Sequence, residues 1–123
     1  MHGKKVLIID DDTTITSTLY KLFGEAGAKV QVASTYEAAM EALKLDRPDV
    51  AIVDLFIPGH SGLDLIKETR SLPGAQPFFV ILTNSLNDKT VTDAIDANVT
   101  MFVQKSDHDP SEIIEMIEEH LKQ

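Results

Sequence analysis

Four short apolar runs, each ending in a polar or charged residue, constrain this chain more than anything else in it. Val6-Leu7-Ile8-Ile9 leads into Asp10 and Asp11, Val50-Ala51-Ile52-Val53 into Asp54, Phe78 to Leu82 into Thr83, and Met101 to Gln104 into Lys105. Short apolar runs separated by helix-like stretches read as the buried parallel strands of an α/β fold. Ligands of such folds bind outside the carboxyl ends of the strands, near the point where strand order reverses. Three carboxylates, a hydroxyl and an ammonium, far apart in sequence, are therefore expected on one rim. That set suits a divalent cation and a phosphoryl group.

The stretches between the runs carry helix signals. Ile15, Leu19, Leu22, Phe23 and Ala26 keep helical spacing, with Gly27 as a stop. Lys29 to Ala33 alternates weakly as a further strand, and Ser34-Thr35-Tyr36-Glu37 has the capping-box pattern for a helix ending before Arg47-Pro48. Asp49 to Asp54 reads as the third strand, and Ser61-x-x-Asp64 opens a helix that stops before Pro73-Gly74. Phe78 to Thr83 reads as the fourth strand. Asn87 or Asp88 caps the next helix (Val91, Ala94, Ile95), and Asn98 supplies its left-handed stop. Thr100 to Gln104 is the fifth strand. Asp109-Pro110-Ser111-Glu112 combines a cap, a proline at the first helical position and a capping glutamate. Ile113, Ile117 and Leu121 share the apolar face of that last helix, and Ile114 falls off it, as a contact surface would. Five strands alternating with five helices make a doubly wound parallel sheet.

Composition narrows the class. With 123 residues, 43% of them hydrophobic, the chain is expected to form one domain over residues 1–123. No apolar run approaches the roughly 18 residues of a membrane span, and the first residues do not form a signal peptide. The absence of cysteine excludes disulfides and thiol chemistry and is compatible with a cytoplasmic location. Eleven basic against 20 acidic residues give a net charge of −9, which argues against direct binding to nucleic acid. A flavin or dinucleotide would want a glycine-rich or hydroxyl-rich loop after the first strand, where Asp11-Asp12-Thr13 offers negative charge. His2, His60, His108 and His120 show no ligand spacing, although His60 follows Asp54 closely enough to approach it.

Taken together, Val6 to Asp12, Ile52-Val53-Asp54 with Pro58 and Gly62 behind it, Ile81-Leu82-Thr83 and Phe102-Val103-Gln104-Lys105 resemble the receiver domain of bacterial two-component response regulators, over essentially the whole chain. The resemblance implies a flavodoxin-like sheet of order 2-1-3-4-5 with five flanking helices. It also implies an aspartyl phosphate on Asp54, formed with Mg²⁺ from a sensor histidine kinase or a histidine phosphotransfer protein. In the family pattern Asp11, Asp54 and the backbone carbonyl of Phe56 ligate the metal, and Asp10 acts mainly through water. Close carboxylates need a counter-charge, and a hard cation with oxygen ligands supplies one. Lys105 would neutralise the phosphoryl group and Thr83 would hydrogen-bond it. Phe102 would change rotamer with Thr83, switching an output face of fourth helix, fifth strand and fifth helix toward an effector, an output domain or a second copy. Such a domain is a phosphoacceptor that promotes only its own phosphorylation and dephosphorylation, not an enzyme acting on other substrates.

Several positions depart from that pattern. Ser106 replaces the proline, commonly preceded by a cis bond, that follows the lysine, so the loop is expected to change shape or hold a strained bond. Asn84 makes the approach to the site narrower and more polar, and Asn98 replaces a glycine at little cost. Phe56 and Ser85 occupy the positions that tune hydrolysis of the acyl phosphate.

Two other readings compete. Asp10-Asp11-Asp12-Thr13-Thr14 also fits the first motif of haloacid dehalogenase-like phosphohydrolases, with Asp10 as nucleophile and Asp12 as general acid. That reading leaves Asp54 unexplained and lacks a cap domain. A pseudo-receiver that binds a partner without being phosphorylated is opposed by the presence of every acid, the threonine and the lysine.

Overall fold

Alternate residues along each apolar run face opposite sides of one sheet, and this divides the core in two. The computed structural model describes residues 1–99 and 101–122. β1 (Lys5–Ile9), β2 (Lys29–Ala33), β3 (Val50–Val53), β6 (Phe78–Thr83) and β7 (Met101–Gln104) form a parallel sheet of order β2-β1-β3-β6-β7. Numbered by sheet strand alone this is 2-1-3-4-5, the doubly wound, flavodoxin-like arrangement. The two remaining strands, β4 (Phe56–Ile57) and β5 (His60–Ser61), make a small antiparallel hairpin behind Asp54 that the periodicity did not reveal.

Five helices cover the sheet: α1 (Thr13–Glu25), α2 (Tyr36–Leu45), α3 (Gly62–Arg70), α4 (Asp88–Asp96) and α5 (Pro110–Leu121). Leu7, Ile9, Ala51, Val53, Phe79 and Ile81 point toward α2, α3 and α4, where they meet Leu43, Ile66 and Ala94. Val6, Ile8, Val50, Ile52, Val80, Leu82 and Val103 point the other way, onto Leu19 and Phe23 of α1 and Ile113 and Ile117 of α5. Burial on both faces is what makes the central strands read as continuous apolar runs.

Most of the expected boundaries hold. Asp12 caps α1 by accepting from the Thr14 amide at 3.1 Å, and Gly27 follows with φ 91°. Asn87, not Asp88, caps α4 in a capping box with Thr90. Asn98 takes φ 61°, as the stop requires. Asp109 caps α5, with Pro110 in its first turn. Arg70 ties α3 to the end of α4, its guanidinium 5.0 Å from the Phe79 ring centroid and donating to the Asn98 carbonyl at 3.1 Å.

Two expectations are corrected, and one left open between two outcomes is decided. The cap of α2 is Thr35 rather than Ser34: its backbone is extended and its hydroxyl accepts from the Ala38 amide at 3.1 Å. This puts Glu37 at the second helical position, one residue early for a capping box. Ile114 is not a surface residue. It is only 6% exposed and joins Ile113 and Ile117 in the core, because the sheet side of α5 is wider than a one-in-four stripe. The backbone after Lys105 has no cis bond and turns as a 3₁₀ segment, Lys105–Asp107, so of the two outcomes expected from Ser106 the loop takes the changed shape. Of the expected fifth strand, Thr100 lies outside the described residues.

Candidate functional site

Strand order reverses between β1 and β3, and the loops leaving these two strands carry the acids. Asp10 directly follows β1 and is 5% exposed; Asp54 directly follows β3 and is 9% exposed; Asp11 is open to solvent. One carboxylate oxygen from each lies within 4.8 Å of the others. Lys105, just past β7, reaches back to both buried acids, with Nζ 2.6 Å from Asp10 Oδ2 and 3.1 Å from Asp54 Oδ2. Three of the residues named from sequence are thus joined by direct ion pairs, across separations of up to 95 positions in the chain (Asp10 to Lys105).

Backbone amides fix the remaining carboxylate oxygens. The Asp12 amide donates to Asp10 Oδ1 at 2.9 Å, and the Phe56 amide donates to Asp54 Oδ1 at 3.1 Å. The β4–β5 hairpin that presents Phe56 is braced from α2: the His60 ring stacks on Tyr36 at 4.1 Å between centroids, and its Nε2 lies 3.8 Å from Glu37. His60 therefore supports the hairpin from outside. Gly62 starts α3 against the back of Asp54. A Cβ there would run into the Asp54 carbonyl oxygen and lie 2.9 Å from Val53 Cγ1. Only glycine lets α3 approach the strand end this closely.

Thr83 ends β6 and is 1% exposed; its Oγ1 accepts from the Ser85 amide at 3.3 Å. Phe102 pairs with Ile81, and Gln104 pairs with Thr83, so Phe102, Gln104 and Thr83 share one face of the sheet. Phe102 is half-buried against the α2–α3–α4 side of the core. The Phe56 side chain projects into solvent, 60% exposed.

Gln104 is a residue that the sequence reading passed over. Its Nε2 donates to the Asn84 carbonyl at 2.9 Å and its Oε1 accepts from the Leu86 amide at 3.3 Å. The available signal was a lone polar residue ending an otherwise apolar strand, immediately before the lysine.

Three carboxylates face one ammonium in this site. Burial is the main reason that the Asp10 carboxyl is held above the usual carboxylate range, offset in part by Lys105 and the Asp12 amide. Burial alone would lower the Lys105 ammonium, but its bonds to Asp10 and Asp54 outweigh this and hold it above the usual lysine value. All the acidic ligand atoms are hard oxygens, as Mg²⁺ requires. Oxygens on one octahedral Mg²⁺ lie about 3–4 Å apart, close to the spacing here, where one oxygen from each of the three acids lies within 4.8 Å of the others. The donor set fits the cation.

The sequence and the fold have counterparts among known proteins. The model of the response regulator receiver domain matches residues 6–118. The chain is 30% identical over 118 residues to the chemotaxis protein CheY of Thermotoga maritima, covering 94% of this chain and 95% of that protein. It is 35% identical over 77 residues to the two-component response regulator PhoP of Pseudomonas aeruginosa, covering 63% of this chain. It spans only 34% of the length of that relative and 43% of the response regulator MprA of Mycolicibacterium vanbaalenii. Among solved structures, a CheY-like receiver domain from Methanospirillum hungatei superposes with a TM-score of 0.89 at 22% identity, covering 98% of this chain and 94% of that one, which speaks for the fold. The motifs at the ends of β1, β3, β6 and β7, the sheet order and these matches agree: the chain belongs to the response regulator receiver domain family of two-component systems.

Proposed function

We propose that residues 1–123 act as one phosphoacceptor domain, in which Asp54 takes a phosphoryl group from a phosphohistidine of a sensor kinase or phosphotransfer protein. The observation that carries this reading is the convergence of Asp10, Asp11, Asp54 and Lys105 at the reversal of strand order. An Asp54 carboxylate oxygen forms the new bond to phosphorus as the phosphorus–nitrogen bond of the donor breaks, and the freed imidazole nitrogen takes up a proton. Transfer of this kind depends on positioning and charge neutralisation. Mg²⁺, held by Asp11, Asp54 and the Phe56 carbonyl with Asp10 acting through water, would supply positive charge and orient the phosphoryl oxygens. Lys105 exchanges its bond with Asp54 for one to the phosphoryl group. Thr83 donates its hydroxyl proton to a phosphoryl oxygen.

That new bond would favour one of two arrangements of Thr83 and Phe102, and so switch the surface of α4, β7 and α5 toward an effector, an output domain or a second copy. The domain would catalyse only the gain and loss of its own phosphoryl group, in the cytoplasm. No described helix is long and apolar enough to cross a membrane.

Intact mass after incubation with a small phosphodonor and Mg²⁺ tests the reading. One phosphoryl adduct is expected on the wild type and none on Asp54→Asn or without Mg²⁺. Beryllofluoride, a stable phosphoryl mimic, is expected to bind even where hydrolysis outruns detection. No adduct and no beryllofluoride binding would leave a pseudo-receiver. An adduct that survives Asp54→Asn but not Asp10→Asn would point to a hydrolase instead.

A further inference from the structure

The loop between Thr83 and the Asn87 cap of α4 is held at its two ends and at its centre. At one end the Ser85 amide donates to Thr83 Oγ1. At the other, Asn87 and Thr90 form the capping box, with the Asn87 amide donating to Thr90 Oγ1 at 2.8 Å. At the centre the Gln104 amide takes both the Asn84 carbonyl and the Leu86 amide. One side chain from the neighbouring strand thus binds the residues on either side of Ser85.

This fixes more than the loop's shape. A hydroxyl has one proton to donate and two lone pairs. Because the Ser85 amide occupies a lone pair of Thr83, the hydroxyl proton stays available for another acceptor. If the 84–86 segment were free to turn, a loop carbonyl could become that acceptor and consume the proton.

We propose that Gln104 is a positioning residue for the phosphoryl site: by clamping Asn84 and Leu86 it holds the Ser85 amide on the Thr83 hydroxyl and keeps that hydroxyl's proton free for a phosphoryl oxygen. The inference rests on the phosphoacceptor reading of Asp54 and Thr83. The Gln104 amide is bonded to the Asn84 carbonyl and the Leu86 amide and not to the acids. Its influence is therefore confined to ligands that use Thr83, and Mg²⁺ alone is not one of them.

The test compares the wild type with Gln104→Met, which keeps the length but loses the amide, and Gln104→Asn, which is too short to reach both partners. Three quantities are read: hydrogen exchange of the Leu86 amide, affinity for Mg²⁺, and affinity for beryllofluoride in saturating Mg²⁺. Both variants are expected to exchange the Leu86 amide faster, to bind Mg²⁺ as the wild type does, and to bind beryllofluoride about fivefold more weakly, equivalent to about 1 kcal/mol. Unchanged or tighter beryllofluoride binding would overturn the proposal, as would unchanged exchange at Leu86. A parallel loss of Mg²⁺ affinity, or failure of both variants to fold, would make Gln104 a general support of the sheet edge and overturn it equally. If the wild type binds no beryllofluoride, the phosphoacceptor reading falls first and the proposal with it; wild-type binding without a Gln104 effect removes the proposal alone.

Discussion

Gly62→Ala adds a single methyl group, yet it should be among the most damaging small substitutions in this protein. The new Cβ would sit 2.9 Å from Val53 Cγ1 and 3.1 Å from the Asp54 carbonyl carbon, and closer still to that carbonyl's oxygen. Carbon–carbon contacts are comfortable at about 3.5–4.0 Å, so the overlap is several tenths of an ångström against two neighbours at once. The obstacle is mostly backbone at the end of a central strand, so no flexible side chain can swing away. Overpacking of this kind typically costs about 1–3 kcal/mol, and the rigid surroundings place this case near about 3. For a chain of this size the midpoint of thermal unfolding should fall by about 10 °C. Gly24→Ala supplies the internal control. Gly24 lies inside α1 with nothing within 4 Å of its added Cβ, so the same change there should stabilise by about 0.5–1 kcal/mol. Urea unfolding of both variants with equal m-values gives the two free energies directly. A Gly62→Ala protein within about 0.5 kcal/mol of wild type, the range of an ordinary surface change, would refute the close approach of α3 to Asp54.

Three further outcomes follow from the same geometry. Mg²⁺ at 100 times its dissociation constant should stabilise the wild type by about 2.7 kcal/mol, and the gain should vanish in Asp11→Asn and Asp54→Asn; equal gains in all three, measured by calorimetry, would place the cation elsewhere. In chelator, Asp10 binds its proton more tightly folded than unfolded, so its ionisation costs stability as pH rises from the usual carboxylate range through its raised folded value. Asp10→Asn should therefore be more stable than wild type at pH 7, by a margin that closes below about pH 4, and a margin that grew on acidification would contradict the raised value. Ile114→Ala should cost about 2–5 kcal/mol in urea unfolding as a core truncation, whereas an exposed contact residue would cost almost nothing.

The fold was legible in the sequence where burial and local chemistry agree. The strands of the sheet centre announce themselves because both faces are apolar, and the caps at Asn87 and Asp109 because a short polar side chain has one function at a helix start. Asp10, Asp54 and Lys105 could be placed on one rim by topology alone, and the structure joins them by ion pairs. What escaped depends on details below the level of pattern. The β4–β5 hairpin has only two residues a side, too few for any periodicity. Ser34 and Thr35 are chemically equivalent caps, and a dihedral angle decides between them. Ile114 was misjudged because a helix against a sheet buries a broader arc than the spacing of Ile113, Ile117 and Leu121 suggests. Gln104 escaped because its partners are backbone atoms of a loop, which carry no residue identity to match.

The sheet order divides the site's residues between interior and border. Asp10 and Asp54 leave β1 and β3, each hydrogen-bonded to a strand on either side, whereas Phe102 and Gln104 belong to β7, which pairs with β6 alone, and Lys105 directly follows it. A border strand can detach at a free energy well below that of global unfolding. Fraying there would carry the lysine, the Gln104 contacts and the aromatic with it, while the buried carboxylates keep a strand on either side. The two buried carboxylates are thus anchored in the interior of the sheet, and the lysine, the loop clamp and the aromatic ride on one of its borders.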